Sequence, residues 1–309
     1  MLKLAALVGP TAVGKSEIAI KIAQRINGEI ISCDSMQVYR GMNIGTAKVS
    51  PQEQAIVPHH IIDIVDIEYY FTVAEYQSLA QELINEINQR DRIPIMVGGT
   101  GLYYQAVVDN YSFYPMESHK GIRRKLQRQA AEKGLQHLYI QLIDVDPDYA
   151  QRISPQDEKR IIRALEVYEL TGKPFSEQQK REYNAYNLAP VGLYLERELL
   201  YQRINHRVDI MLSKGLIDEV KSFRERGYGL HNNAMQALGY KQVLYYLDGL
   251  MTYGEMVEAI KKETRNYAKR QYTWFKRDKR ITWFDVASHS TEELTEKICA
   301  HMEGLLSKV

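Results

Sequence analysis

Leu4-Ala5-Ala6-Leu7-Val8-Gly9-Pro10-Thr11-Ala12-Val13-Gly14-Lys15-Ser16, continued by Glu17-Ile18-Ala19-Ile20, decides the fold. A short apolar run reads as a buried strand, and Ile18, Ile22 and Ile26 recur at helical spacing. Between them lies G-x-x-x-x-G-K-S. Its glycines permit a tight path. Its backbone N–H groups meet the positive end of the following helix, Lys15 supplies a full charge to terminal phosphate oxygens, and the Ser16 hydroxyl reaches a magnesium ion. The residues Gly9, Pro10, Thr11, Ala12, Val13, Gly14, Lys15 and Ser16 therefore form a diphosphate site with Mg2+ as its cofactor. ATP, GTP and any alkyl diphosphate present the same group to it.

Outward from this loop, Glu29–Cys33, Ile61–Val65 and Ile93–Val97 are further strand candidates, with an amphipathic helix predicted over Val73–Arg90. Strands alternating with helices predict an α/β fold, a P-loop NTPase-like parallel sheet flanked by helices. Ligands sit at the carboxyl ends of such strands, so the loops after Val8, Cys33 and Val97 are expected to converge. From about Tyr114 the pattern becomes helical: Gly121–Lys133 is basic, Leu135–Val145 and Glu158–Leu170 follow, and Thr171-Gly172-Lys173-Pro174 is a helix stop. We read an inserted all-helical domain at residues 115–188, between core segments 1–114 and 189–309. The sheet pattern returns at Val191–Leu195. Helices are predicted over Glu198–Arg226, Ala234–Tyr246 and Thr252–Arg277, and a last strand over Ile281–Phe284.

Bulk properties narrow the classes. The 309 residues are 45% hydrophobic and 26% charged, enough for a packed core, and the net charge of +1 leaves nucleic-acid affinity to local patches. Cys33 and Cys299 suggest no disulfide framework and fit a reducing compartment. No apolar run approaches the ~20 residues of a membrane span, so no membrane role and a cytoplasmic location are expected. Nothing demands more than a monomer. A P-loop ATPase has an apolar strand ending in a magnesium-holding Asp. Ile93–Val97 ends instead in Gly-Gly-Thr, leaving Asp63 as a weak candidate. His59-His60 lacks companions at ligand spacing and reads as structural.

Asp34, after the second strand, has two readings: a reacting carboxylate beside the phosphate loop, or a helix cap. Arg203 and Arg207, four apart, share a helix face as an anion clamp or as a solvated basic stripe. Lys261–Arg280 carries nine basic residues and two acids, with Tyr267, Tyr272, Trp274 and Phe275 interleaved. Its charge suits an RNA backbone, while Trp274 and Phe275 read as core.

These residues resemble the tRNA dimethylallyltransferases (tRNA isopentenyltransferases), bacterial type, with no C-terminal zinc finger. The likeness rests on the phosphate loop with Gly-Pro-Thr, Asp34-Ser35-x-Gln37-x-Tyr39, Gly41–Lys48, and Gly98-Gly99-Thr100-Gly101-Leu102-Tyr103. It continues through Asp157–Tyr168, Thr171-Gly172-Lys173-Pro174, Gly239-Tyr240-Lys241-Gln242, and Thr264-Arg265 to Trp274. It spans Lys3 to about Phe284.

The resemblance implies transfer of a dimethylallyl group from dimethylallyl diphosphate to N6 of the adenine 3′ of the anticodon, in tRNAs reading codons that begin with U. It implies Asp34 as general base, Thr100 at the mouth of the reaction channel, and Lys15 with Arg207, or Arg203, on the pyrophosphate. It implies tRNA contacts at Asp34, Ser35, Met36, Gln37 and Thr100, at Gln156, Asp157, Glu158, Lys159 and Arg160, and at Ala237, Leu238, Gly239, Tyr240, Lys241 and Gln242. Arg123 or Arg124 in the basic helix is a further candidate. The partners implied are the tRNA anticodon stem-loop, met by the helical insert, and dimethylallyl diphosphate. The alternatives are an ATP-dependent small-molecule P-loop kinase and a non-enzymatic RNA-binding P-loop protein.

Overall fold

The computed structural model describes residues 1–113, 120–178 and 181–307. They form two compact units, residues 1–108 with 184–309, and residues 109–183.

The first unit runs β1 (Lys3–Val8), α1 (Lys15–Arg25), β2 (Gly28–Cys33), α2 (Pro51–Ile56), β3 (His59–His60), α3 (Val73–Gln89), β4 (Ile93–Gly98) and α4 (Gly101–Val108). The second holds α5 (Lys120–Lys133), α6 (Leu135–Val145), α7 (Pro147–Ala150), α8 (Glu158–Thr171) and α9 (Phe175–Gln178). The first resumes with β5 (Asn187–Tyr194), α10 (Arg197–Ser213), α11 (Leu216–Glu225), α12 (Tyr240–Leu247), α13 (Tyr253–Phe275), β6 (Thr282–Asp285) and α14 (Thr291–Leu306).

The six strands make one parallel sheet in the order β3-β2-β4-β1-β5-β6. Both faces are covered, which is why β1 reads as an unbroken apolar run from Leu4 to Val8. Leu4, Ala6 and Val8 turn to one core with Tyr76, Ile84 and Phe275. Ala5 and Leu7 turn to the other with Ile22, Val191 and Ile298. The register levels the ends of three strands, pairing Val8 with Gly98 and Cys33 with Gly98. The loops after Val8, Cys33 and Val97 thus meet, as expected.

Four expectations are corrected. Ile61–Val65 is not a strand: the strand is His59–His60, and Ile61 (φ 59°) and Asp63 (φ 55°) turn the chain. The N–H groups of Asp63, Ile64 and Val65 bond Gln37 and Val38 instead of a sheet neighbour, so this segment buttresses the loop after β2. The single helix Glu198–Arg226 is two, broken where Gly215 takes φ 93°. Ala234–Tyr246 opens with a single 3₁₀ turn and becomes α-helical only at Tyr240. The sheet also resumes earlier than Val191, at Asn187. Unit 109–183 ends before the expected 188, and the expected break between residues 114 and 115 lies outside the described residues.

The second unit has its own core of Leu126, Leu138, Leu142, Ile161 and Leu165 from α5, α6 and α8. Among the described residues no helix is long and apolar enough to cross a membrane.

Candidate active site

The phosphate loop leaves β1 at Val8 and enters α1 at Lys15. The Lys15 ammonium donates to the carbonyls of Gly9 (3.0 Å) and Pro10 (2.7 Å). Its pKa is pulled down to about 7, first by removal from water and next by the Arg207 charge, against the pull of Asp34. Arg207 is also lowered by burial, with Asp34 opposing. The two cations and the carboxylate therefore feel one another. All three line a cavity of about 380 Å³ with Thr11, Ala12, Gly14, Ser16, Gln37, Arg203, His206, Tyr267 and Gln271. Half-buried cations facing an open cavity are suited to holding an anion.

Asp34 caps no helix, because the residues after it form a turn. Oδ1 accepts the Met36 N–H (2.9 Å), which closes a turn, yet the carboxylate also faces the cavity. Thr100 holds this loop in place. Its Oγ1 accepts the Ser35 N–H (3.1 Å), its own N–H donates to the Cys33 carbonyl (3.1 Å), and its side chain shares a hydrogen bond with Tyr267. Gln37 lines the cavity with its amide partly engaged, accepting from Ser32 Oγ (3.0 Å) and donating to the Thr46 carbonyl (3.4 Å). Arg203 is exposed and reaches the Val13 carbonyl (3.5 Å), while Arg207 is half-buried.

Asp63 and the two histidines have partners within the protein. Asp63, the weak magnesium candidate, is bound by the nearly buried Lys48 ammonium at 2.5 Å, and that charge occupies it. His60 Nε2 pairs with the buried Glu29, and His59 Nδ1 with the Val57 carbonyl. The described residues hold no group of three or more His, Cys, Asp or Glu placed to bind a metal ion.

Asp34 and Gln37 line the cavity, whereas Ser35, Met36 and Thr100 are not among its lining residues. In the second unit Gln156, Glu158, Lys159 and Arg160 are exposed, and Asp157 caps α8 while pairing with Arg160. Arg123 is spent on the buried Glu166 (2.6 Å), which Arg163 also holds, so it ties α5 to α8; Arg124 is exposed. In the first unit Tyr240 is fully buried and donates to Glu219, so its side chain belongs to the core. The Gln242 amide oxygen accepts the Gly239 N–H, and the Lys241 ammonium stands 5.5 Å from the Tyr245 ring. Phe275 is core, as read, and Trp274 packs against that core over Gly101.

Sequence reasoning missed the cavity residues His206 on α10 and Tyr267 and Gln271, one turn apart on α13. For the last two, the i, i+4 spacing inside the Thr264–Trp274 motif was the available signal, masked by the surrounding charge. It also missed Glu219. Its carboxylate accepts the N–H groups of Asn43 (3.0 Å), Ile44 (2.9 Å) and Gly45 (3.3 Å), which holds the Gly41–Lys48 loop against α11.

Residues 37–278 match the family model described as IPP transferase. The chain is 62% identical to the tRNA dimethylallyltransferase of Syntrophomonas wolfei, covering 98% of each protein. Among solved structures it resembles the full-length tRNA isopentenylpyrophosphate transferase of Bacillus halodurans, with a TM-score of 0.77 and 44% identity. That match covers 100% of this chain and 98% of the other. A eukaryotic dimethylallyltransferase acting on tRNA matches with a TM-score of 0.81 and 30% identity, covering 100% of this chain and 85% of that one.

Proposed function

The chain belongs to the IPP transferase family, and on that premise we propose how its cavity carries out prenyl transfer to tRNA. The donor is dimethylallyl diphosphate and the acceptor is N6 of the adenine 3′ of the anticodon, in tRNAs reading codons that begin with U. Pyrophosphate leaves. The observation that carries this reading is one cavity shared by the phosphate loop, Arg207 and Asp34.

As the C–O bond breaks, negative charge builds on the diphosphate. Lys15 and Arg207 sit in low dielectric, where a positive charge stabilises that leaving group more than in water. Arg203, on the same face of α10, is the outer partner of the clamp. The N6 amine is a weak nucleophile because its lone pair is shared with the ring. Asp34 accepts its proton, held for that purpose by the Met36 N–H and by the Ser35–Thr100 bond beside it. Thr100, held by the Cys33 carbonyl and Tyr267, stands where the adenine enters.

Ser16 lines the cavity together with the carboxylates of Glu17 and Asp34, an oxygen set that suits Mg2+ arriving with a diphosphate. Ser16 would hold that ion, which when bound offsets charge on the leaving group.

A base in a stacked anticodon loop reaches a cavity only when extruded. Asp34–Gln37 supports recognition of the flipped adenine, because the Gln37 amide can both donate and accept. The exposed Gln156–Arg160 segment of the second unit supports a contact to the anticodon stem-loop. Lys241 and Gln242 support a further one. A tRNA substrate supports a cytoplasmic location.

Incubation with labelled dimethylallyl diphosphate, Mg2+ and an anticodon stem-loop tests the reading. Label is expected in the RNA. ATP turnover without RNA labelling would favour a kinase, and RNA retention without product a binding protein. Asp34→Asn is expected to keep donor binding while its single-turnover rate falls about 10²–10⁴-fold; a near-wild-type rate would remove Asp34 as the base.

A further inference from the structure

The Gln271 side chain is 5% exposed and projects from α13 between two loops of the site. Its Oε1 accepts the Thr11 N–H at 2.8 Å, and its Nε2 donates to the Gly99 carbonyl at 2.9 Å. The amide orientation is unambiguous, since a flipped amide would set donor against donor and acceptor against acceptor. The fit is close: a Cβ on Gly99 would lie 2.0 Å from Nε2. No Gly99 side chain is compatible with the amide where it stands.

The two bonds join the two halves of the reaction. Thr11 belongs to the phosphate loop. Gly99 precedes Thr100, whose Oγ1 accepts the Ser35 N–H next to Asp34. A continuous line of bonds thus runs from the phosphate loop through Gln271 to the loop that carries Asp34. Lys15, Arg207 and Asp34 are each held by their own elements, but nothing in that set fixes the separation between donor and acceptor loops. The phosphate loop also gives up one of its backbone donors, Thr11, to this link.

We infer that Gln271 is a positioning residue for prenyl transfer: its buried amide sets where the donor's diphosphate stands relative to Asp34. The inference rests on the function proposed above. The amide touches neither reacting atom and acts through Thr11 and Gly99. Its loss is therefore felt in the chemical step more than in the binding of either substrate.

Three variants test this, each measured for pyrophosphate affinity and for single-turnover rate at saturating dimethylallyl diphosphate and stem-loop. Gln271→Leu keeps the size and removes both bonds. Its pyrophosphate Kd is expected within about threefold of wild type and its rate lowered by about 10²-fold. Gly99→Ala pushes the amide away from the other side and is expected to show the same split. Gln271→Glu carries the discriminating signature. Ionised, it sets a carboxylate against the Gly99 carbonyl; protonated, it restores a donor there and an acceptor to Thr11. The ratio of its rate to wild type is therefore expected to rise as pH falls from about 8 to about 6, which a general loss of packing does not produce. That ratio is read on folded enzyme, so it decides the matter even if Gln271→Leu fails to fold. Three results overturn the inference: a Gln271→Leu rate within about threefold of wild type, a loss confined to pyrophosphate affinity, or a rate ratio for Gln271→Glu that does not change with pH. Failure of the wild-type protein to label RNA instead overturns the proposed function.

Discussion

Lys15 is held between opposing influences, and the balance has a measurable consequence. Burial and Arg207 lower its pKa to about 7, so at pH 8 it is mostly neutral. A bound diphosphate favours the charged form and raises that pKa. Donor or pyrophosphate binding at pH 8 should therefore take up about one proton, and far less at pH 6. Calorimetry in buffers of different ionisation heat reads this directly, and buffer-independent heats at pH 8 would contradict it. The folding side has the matching sign. The folded Lys15 pKa lies below its unfolded value, so between about pH 7 and 10 the unfolded chain binds more protons. Its contribution to stability then rises with pH, and Lys15→Met should flatten that rise. Cys33 behaves oppositely. Burial pushes its thiol up to about 12, so an alkylating reagent should label it only on unfolding.

At the scale of elements, local sequence chemistry explains starts and stops better than lengths. Helices α2, α3, α13 and α14 each begin with a Ser or Thr whose oxygen accepts the N–H of a Glu three residues on, while that Glu reaches back. Thr72→Ala should cost about 0.5–2 kcal/mol, read as a lower denaturation midpoint. Loop shape, by contrast, is decided across the fold. Glu219 gathers three consecutive backbone N–H groups of the Gly41–Lys48 loop and also the Tyr240 hydroxyl. Glu219→Ala leaves those donors unpaired and should cost about 1–3 kcal/mol. Hydrogen exchange at Asn43, Ile44 and Gly45 should quicken with it. The Gly-Tyr-Lys-Gln motif at 239–242, which the family resemblance assigns to RNA, owes at least Tyr240 to this packing.

For the molecule as a whole, the net charge of +1 gives no general attraction to RNA. Basic side chains are nevertheless exposed toward the end of α13 and just beyond it, at Lys269, Arg270, Lys276, Arg277 and Lys279. If this stretch meets phosphates, tRNA affinity should fall steeply with salt, and Lys269→Ala with Arg270→Ala should reduce the logarithmic slope by about one per lost contact. An unchanged slope would move the RNA surface elsewhere. The parts of this architecture differ in how far the sequence alone reveals them. The phosphate loop, the alternating strands and the helical second unit were legible because their signals are local: a fixed spacing, an apolar run, a helical period. Asp34 was legible as a candidate only because a strand end beside a phosphate loop is a known place for chemistry. What it does could not be read, since the carboxylate bonds the Met36 N–H in a local turn and also lines the cavity. Gln271, Tyr267 and Glu219 became visible only when distant segments were brought within hydrogen-bond reach, over 260 residues in the case of Thr11 and Gln271. By itself the sequence determined the alternation of strands and helices, the glycine loop after β1 and the family, because backbone periodicity and motif spacing are properties of neighbours in the chain. The tertiary structure decided which buried polar groups face one another, because a hydrogen bond depends on distance in space, which chain spacing does not encode.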